Sequence, residues 1–215
     1  MKKKMMILSS IAIVLTLSIM AVGANDDKEG IREHAKKVQE QTNNKESNVV
    51  AKVSSATTTI ELTDTQVETY CLNSEYITKK PKDKKEALES MIKEKVEYLI
   101  ACEEGYEVGN EVIEGKIKEA KAVINSDPEQ KVFVQNYIEA LGIDEDQYYN
   151  EVYDSYKISL TIGNYKNNYV KNEIIKKDKN LKYEEFTEEY YNALEDFMKG
   201  VRDKYISENK IKIDK

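Results

Sequence analysis

The chain has 215 residues and a formal net charge of −7, with 33 Lys and Arg against 40 Asp and Glu. That balance gives no general attraction for nucleic acid or an anionic lipid surface. With 8 Gly and 2 Pro, the chain also lacks the turn residues that a fold of many short strands consumes. Charged residues at 34% suit amphipathic helices with solvated outer faces, so the fold class read from composition is all-α with a minor β element.

Residues 1–24 read as a targeting segment. Lys2-Lys3-Lys4 form a basic start, Met5 to Val22 is uncharged and mostly apolar, and Val22-Gly23-Ala24 supplies the small residues that signal peptidase requires. The apolar run has 18 residues, enough to span a bilayer. A cleaved signal peptide and an uncleaved N-terminal membrane anchor both stay open. Both place the remainder outside the cytoplasm, because the lysines stay inside. The expected location is therefore extracytoplasmic: secreted, or anchored at the outer face of the cytoplasmic membrane. Without the three lysines of the leader, the rest of the chain carries a net charge of −10. Residues 25–47 are polar and charge-rich. Only Ile31, Ala35 and Val38 are available for packing, so a frayed helix stays open but the segment is read as a polar tether. The single histidine, His34, falls in it and is expected to be solvated.

The folded part is expected to span residues 48–215. Val49 to Leu62 is rich in β-branched residues and predicts strand, with Ser54-Ser55 as a turn. Thr63 with Gln66 three residues later is a capping box, so a helix runs to about Ile77. From Glu86, Leu88, Met91, Ile92, Val96, Leu99 and Cys102 form one helical stripe, ended by Gly105. Ile113, Ile117, Ala120 and Ile124 form the next stripe. Two such helices joined by about four residues are expected to lie against each other. Asp127-Pro128-Glu129-Gln130 starts another helix, which runs to Leu141 and stops at Gly142. Asp144 caps a long helix that reaches about Ile175.

That long helix is apolar on two sides. One stripe holds Tyr149, Val152, Tyr156, Leu160, Gly163, Val170 and Ile174; the other holds Ile158, Ile162, Tyr165 and Tyr169. The second stripe is the candidate client-binding surface, with coverage by the final helix as the competing reading. Asp178 to Lys182 is a polar break. Thr187 to about Asn209 forms the last helix, with Tyr190, Leu194, Phe197, Val201 and Tyr205 in register. Ile211-Lys212-Ile213 alternates like a strand and is expected to pair with Thr57–Leu62. The final helix is expected on the Met91–Leu99 helix or on the long helix. Tyrosine is over-used, 15 against 3 Phe and no Trp. Its rings suit weak holding of varied apolar segments, although about half of them must fill the core.

Residues that carry chemistry are few. Cys71 and Cys102 each sit on a helix stripe, and either a disulfide or two core thiols is open for them. Asp144-Glu145-Asp146 is not a calcium loop, because Tyr149 stands where such a loop needs glycine. Glu94/Glu97 and Glu184/Glu185 read as solvated pairs. No catalytic, metal or cofactor site is predicted.

The stretch Leu88, Met91-Ile92, Val96, Leu99-Ile100, Glu104, Gly105-Tyr106-Glu107-Val108, Glu111-Val112, Ile117, followed by Phe133 to Leu141 and Gly142-Ile143-Asp144-Glu145-Asp146-Gln147-Tyr148, resembles the SurA N-terminal domain. Extracytoplasmic chaperones and the PrsA-type foldases share that domain, and trigger factor has a related region. The likeness covers roughly Val49 to Val170, and Val53-Ser54-Ser55 lacks the glycine of the family's first strand. It implies a SurA-like helical domain at 48–215, completed by the C-terminal helix and strand of 187–215. The function implied is an ATP-independent chaperone for unfolded or partly folded secreted proteins. The foldases insert a parvulin domain where this chain has only about a dozen residues between Ile174 and Thr187, so isomerase activity is not expected. An alternative is a surface interaction protein that uses the same groove for one fixed partner or for a homodimer. Neither reading involves nucleic acid, and membrane contact is expected only through residues 1–24 if they stay uncleaved.

Overall fold

The computed structural model describes residues 28–43, 47–177 and 187–215; the leader of residues 1–24 and the break at 178–182 lie outside them. The chain is mostly helical with a small three-stranded sheet, as its composition predicts. The described residues fall into two compact units. One gathers those up to Val50 with Leu62–Met91 and Gly109–Lys157; the other gathers Ala51–Glu61, Ile92–Val108 and those from Ile158 to Lys215.

In the first unit, α1 (Lys28–Asn43) replaces the expected tether. Ile31, His34, Ala35 and Val38 recur at three- and four-residue steps and are all buried. The helix lies against α5 and α2 of the same unit. Arg32 Nη2 donates to Asn136 Oδ1 at 2.7 Å. Helix α2 (Asp64–Thr78) starts on the predicted capping box. Gln66 N–H donates to Thr63 Oγ1 at 3.3 Å, and Thr63 N–H donates to Gln66 Oε1 at 2.9 Å. Helix α3 (Lys84–Glu103) begins in this unit, its first N–H groups held by the Asp83 carboxylate. Helix α4 (Asn110–Ser126) buries Ile113, Ala120 and Ile124. It packs against α5 (Pro128–Leu141) within the unit.

Asp127 caps α5 through the Glu129 and Gln130 N–H groups, with Pro128 at the first helical position. Gly142 closes the helix at φ 68°, the left-handed conformation that glycine adopts without strain. Asp144 and Gln147 form a second reciprocal capping box at the start of α6 (Glu145–Tyr165). Tyr148, Tyr149, Val152 and Tyr156 of its first half are buried in this unit.

The second unit holds the small sheet. Strands β1 (Val49–Ser54) and β2 (Thr59–Thr63) are joined by a turn closed by Ser55 N–H to Thr58 O at 2.8 Å. The C-terminal strand β3 (Lys212–Asp214) pairs antiparallel with β1, Val53 opposite Ile213. The sheet order is β2-β1-β3, so β3 does not pair with Thr57–Leu62 as its alternation suggested. Alternation identifies a strand but not its partner. Val96, Leu99, Ile100 and Ala101 from the end of α3 are buried here. The second half of α6 runs on through a π turn (Lys166–Val170) into α7 (Lys171–Lys177). Helix α8 (Glu188–Ser207) is capped by Thr187 and buries Tyr190, Met198 and Tyr205.

Helix α8 docks on α3 through charge, which meets the expectation for the final helix. Glu97, 3% exposed, lies 2.5 Å from Arg202 Nη1 and 2.8 Å from Lys166 Nζ. Glu195 links Arg202 Nη2 and Lys93 Nζ, each at 2.7 Å. The sequence placed Glu97 on a solvated face. It is buried instead, with its charge matched by two cations on elements remote in sequence. The Tyr205 hydroxyl donates to Glu104, which fastens the last turn of α8.

Candidate functional site

The stripe proposed for clients lies wholly in the second unit and is largely covered. Tyr165 is 1% exposed, and Ile158, Ile162 and Tyr169 are half-buried. Tyr165 meets the Tyr106 ring edge-on at 5.3 Å and stacks on Tyr169 at 5.4 Å. Tyr169 in turn meets Phe197 of α8 at 6.4 Å. Burial pushes the Tyr165 phenol upward, so it stays neutral. Of the four, Tyr169 is the residue that meets the final helix, through Phe197, while Tyr165 packs on Tyr106 and Tyr169.

Tyr169, the last residue of the stripe, lies in the π turn that follows Tyr165. One extra residue in the turn rotates the following helix, which keeps Val170 and Ile174 buried after Tyr165. Asparagine side chains support this bend. Asn164 Nδ2 donates to the Tyr106 carbonyl at 2.9 Å, Asn168 Nδ2 to Asn164 Oδ1 at 2.6 Å, and Asn172 Nδ2 to the Asn168 carbonyl at 2.7 Å. Thr161 Oγ1 accepts from the Val108 N–H at 3.3 Å. These contacts tie the helix beside the aromatic cluster to the Tyr106–Val108 segment.

A concave site lies in the first unit, assembled where β1, α2 and α3 start. The cleft has a volume of about 270 Å³ and is lined by Val50, Asp64, Val67, Glu68, Lys84, Lys85 and Leu88. Val50, Val67 and Leu88 make an apolar floor. Lys84 Nζ closes on Glu68 Oε1 at 2.5 Å across the rim, and this hydrogen bond raises the Lys84 pKa. Asp64 is occupied with the backbone N–H groups of Asn48 and Thr65, at 3.0 and 2.7 Å. The volume is below the range of sites that enclose a drug-sized ligand. It suits one or two apolar side chains of a chain lying across the rim. Val49, beside Val50 in sequence, is exposed. No sequence motif marks this cleft, because its residues come from three elements and each set is unremarkable alone.

His34 is the other residue that the sequence misplaced. It is 5% exposed, its Nε2 lies 2.6 Å from Asn73 Oδ1, and its ring stacks on Tyr76 at 4.4 Å. A carbonyl oxygen can only accept, so the imidazole proton sits on Nε2. Burial lowers the His34 pKa from 6.5 to about 4, so the ring is neutral at pH 7. In the same unit, burial and then Asp154 raise the Glu151 carboxyl from 4.5 to about 7. A neutral, stacked His34 with one amide partner has neither nucleophile nor open face, and acts as a core residue.

Cys71 and Cys102 are both present as thiols. Each is partly buried on its helix, and burial pushes the Cys71 thiol upward, away from thiolate reactivity. Among the described residues no group of three or more His, Cys, Asp or Glu side chains gathers as a metal site. No described helix is long and apolar enough to cross a membrane. No family model, curated protein or solved structure matches the chain.

Proposed function

We propose that the chain is an extracytoplasmic, ATP-independent chaperone-like protein. It holds apolar segments of non-native exported polypeptides, without prolyl isomerase activity and in the manner that the resemblance to the SurA N-terminal domain implies. One observation carries the reading: a cleft of about 270 Å³ with a Val50, Val67 and Leu88 floor and a rim of Lys84, Lys85, Glu68 and Asp64. An apolar floor this small seats a side chain without selecting its identity. A rim of both signs offers hydrogen bonds to the backbone of any chain laid over it. Binding of that kind is weak and broad, which a holding chaperone requires. The cleft takes the role first given to Ile158, Ile162, Tyr165 and Tyr169; of these, the Tyr165 and Tyr169 rings are engaged within their own unit. The leader of residues 1–24 supports the location.

The test uses the full chain and an aggregating, reduced secreted protein followed by light scattering. Equimolar chain is expected to suppress scattering, and Leu88→Asn is expected to lose most of that suppression while its circular dichroism melt shifts little, because Leu88 is only half-buried. No suppression by the unmodified chain would overturn the reading. Suppression confined to one secreted protein among several would favour the fixed-partner alternative.

A further inference from the structure

The outer face of α4 carries a pattern that neither the cleft nor the core explains. Val112 is 51% exposed and Val123 is 48% exposed, although helices of this unit bury other valines. Eleven residues separate the two, three full turns, so they share one face. Between them on that face stand Lys116 and Glu119, joined by an ion pair at 2.7 Å and both exposed. The order Val, Lys, Glu, Val is self-complementary. Reversed about the midpoint between Ile117 and Lys118, position 112 falls opposite 123, and position 116 falls opposite 119.

We propose that this face pairs with the same face of a second copy, α4 against α4 in antiparallel order about a two-fold axis. Val112 of each copy then covers Val123 of the other, and Lys116 of each meets Glu119 of the other. A two-fold interface must be complementary to itself, and this sequence order meets that condition for apolar and charged positions together. Gly115 supports the arrangement. It sits exposed in mid-helix, where glycine costs about 0.5–1 kcal/mol relative to alanine, and nothing lies within 4 Å of where its Cβ would be. That open space lets a second helix approach closely. The paired segment from Val112 to Val123 is about 17 Å long, shorter than a permanent dimer needs. The dimer is therefore weak and concentration-dependent.

The full chain in sedimentation velocity, from micromolar to about millimolar, tests this. The unmodified chain is expected to show a concentration-dependent dimer. Lys116→Glu alone and Glu119→Lys alone each place like charges opposite one another twice, and each is expected to weaken the dimer about a hundredfold. The double variant Lys116→Glu with Glu119→Lys restores self-complementarity, and is expected to dimerise within a few-fold of the original. Both positions are exposed, so circular dichroism melts of all three variants should overlay that of the parent. A chain that stays monomeric throughout, a dimer indifferent to the single changes, or a double variant no better than the singles would each overturn the proposal.

Discussion

His34 and Glu151 give the first unit two opposed responses to acid. The folded-state pKa of His34, about 4, lies below its ordinary 6.5. As pH falls below 6.5 the unfolded chain takes up that proton first, so folding weakens between pH 6.5 and 4. The folded-state pKa of Glu151, about 7, lies above its ordinary 4.5. Here the folded chain takes up the proton first, so folding strengthens as pH falls from 7 to 4.5. Taken at face value each shift amounts to about 3 kcal/mol. Relaxation and water penetration around the charged forms reduce that to about 2 kcal/mol each. The two contributions nearly cancel in the parent chain across this window. Glu151→Gln removes the rising contribution, so the variant is expected to lose about 2 kcal/mol relative to the parent on going from pH 7 to 4.5. His34→Gln removes the falling one and is expected to gain a similar amount over the same range. Urea denaturation at half-unit pH steps, followed by far-ultraviolet circular dichroism, reads both slopes. Comparison with the parent removes the contributions of the other carboxylates, and the slope is independent of any fixed packing loss. If the two variants run parallel to the parent, these groups are not perturbed as their burial implies.

Three further outcomes follow from packing and conformation. Arg202→Leu leaves buried Glu97 with Lys166 alone and is expected to cost about 2 kcal/mol in urea denaturation; an unchanged midpoint would mean that the network adds nothing net. Gly142→Ala is expected to cost more than about 1 kcal/mol. The residue has φ 68°, and a Cβ there would lie 2.4 Å from Gln39 Nε2. Adding Gln39→Ala should recover only the clash. Asp127→Ala removes the α5 cap and is expected to cost about 1 kcal/mol. A tetrapeptide assay is expected to show no prolyl isomerisation above background.

Local chemistry was legible in the sequence and tertiary partnership was not. The Thr63 and Asp144 boxes, the Asp127-Pro128 start and the Gly105 and Gly142 stops involve residues within four positions of one another, so their pattern names them directly. Helix α1 was missed because one of its buried positions is His34, and its stripe counts as core only once Tyr76 and Asn73 are known to lie against it. The second stripe of α6 was seen, but the rings that cover it, Tyr106 and Phe197, come from segments about 30 to 60 residues distant. The partner of β3 was misassigned for the same reason. The cleft could not be read at all, since Val50, Val67 and Leu88 belong to three elements that only folding assembles.

The claim that the first-unit cleft holds non-native chains is tested most directly by nuclear magnetic resonance of the isotope-labelled full chain, titrated with a permanently unfolded, reduced secreted protein. Methyl shifts concentrated at Val50, Val67 and Leu88, with Ile158 and Ile162 unmoved, are the predicted result. No shifts at saturating client, or shifts at Ile158 and Ile162 with the cleft methyls silent, would contradict it.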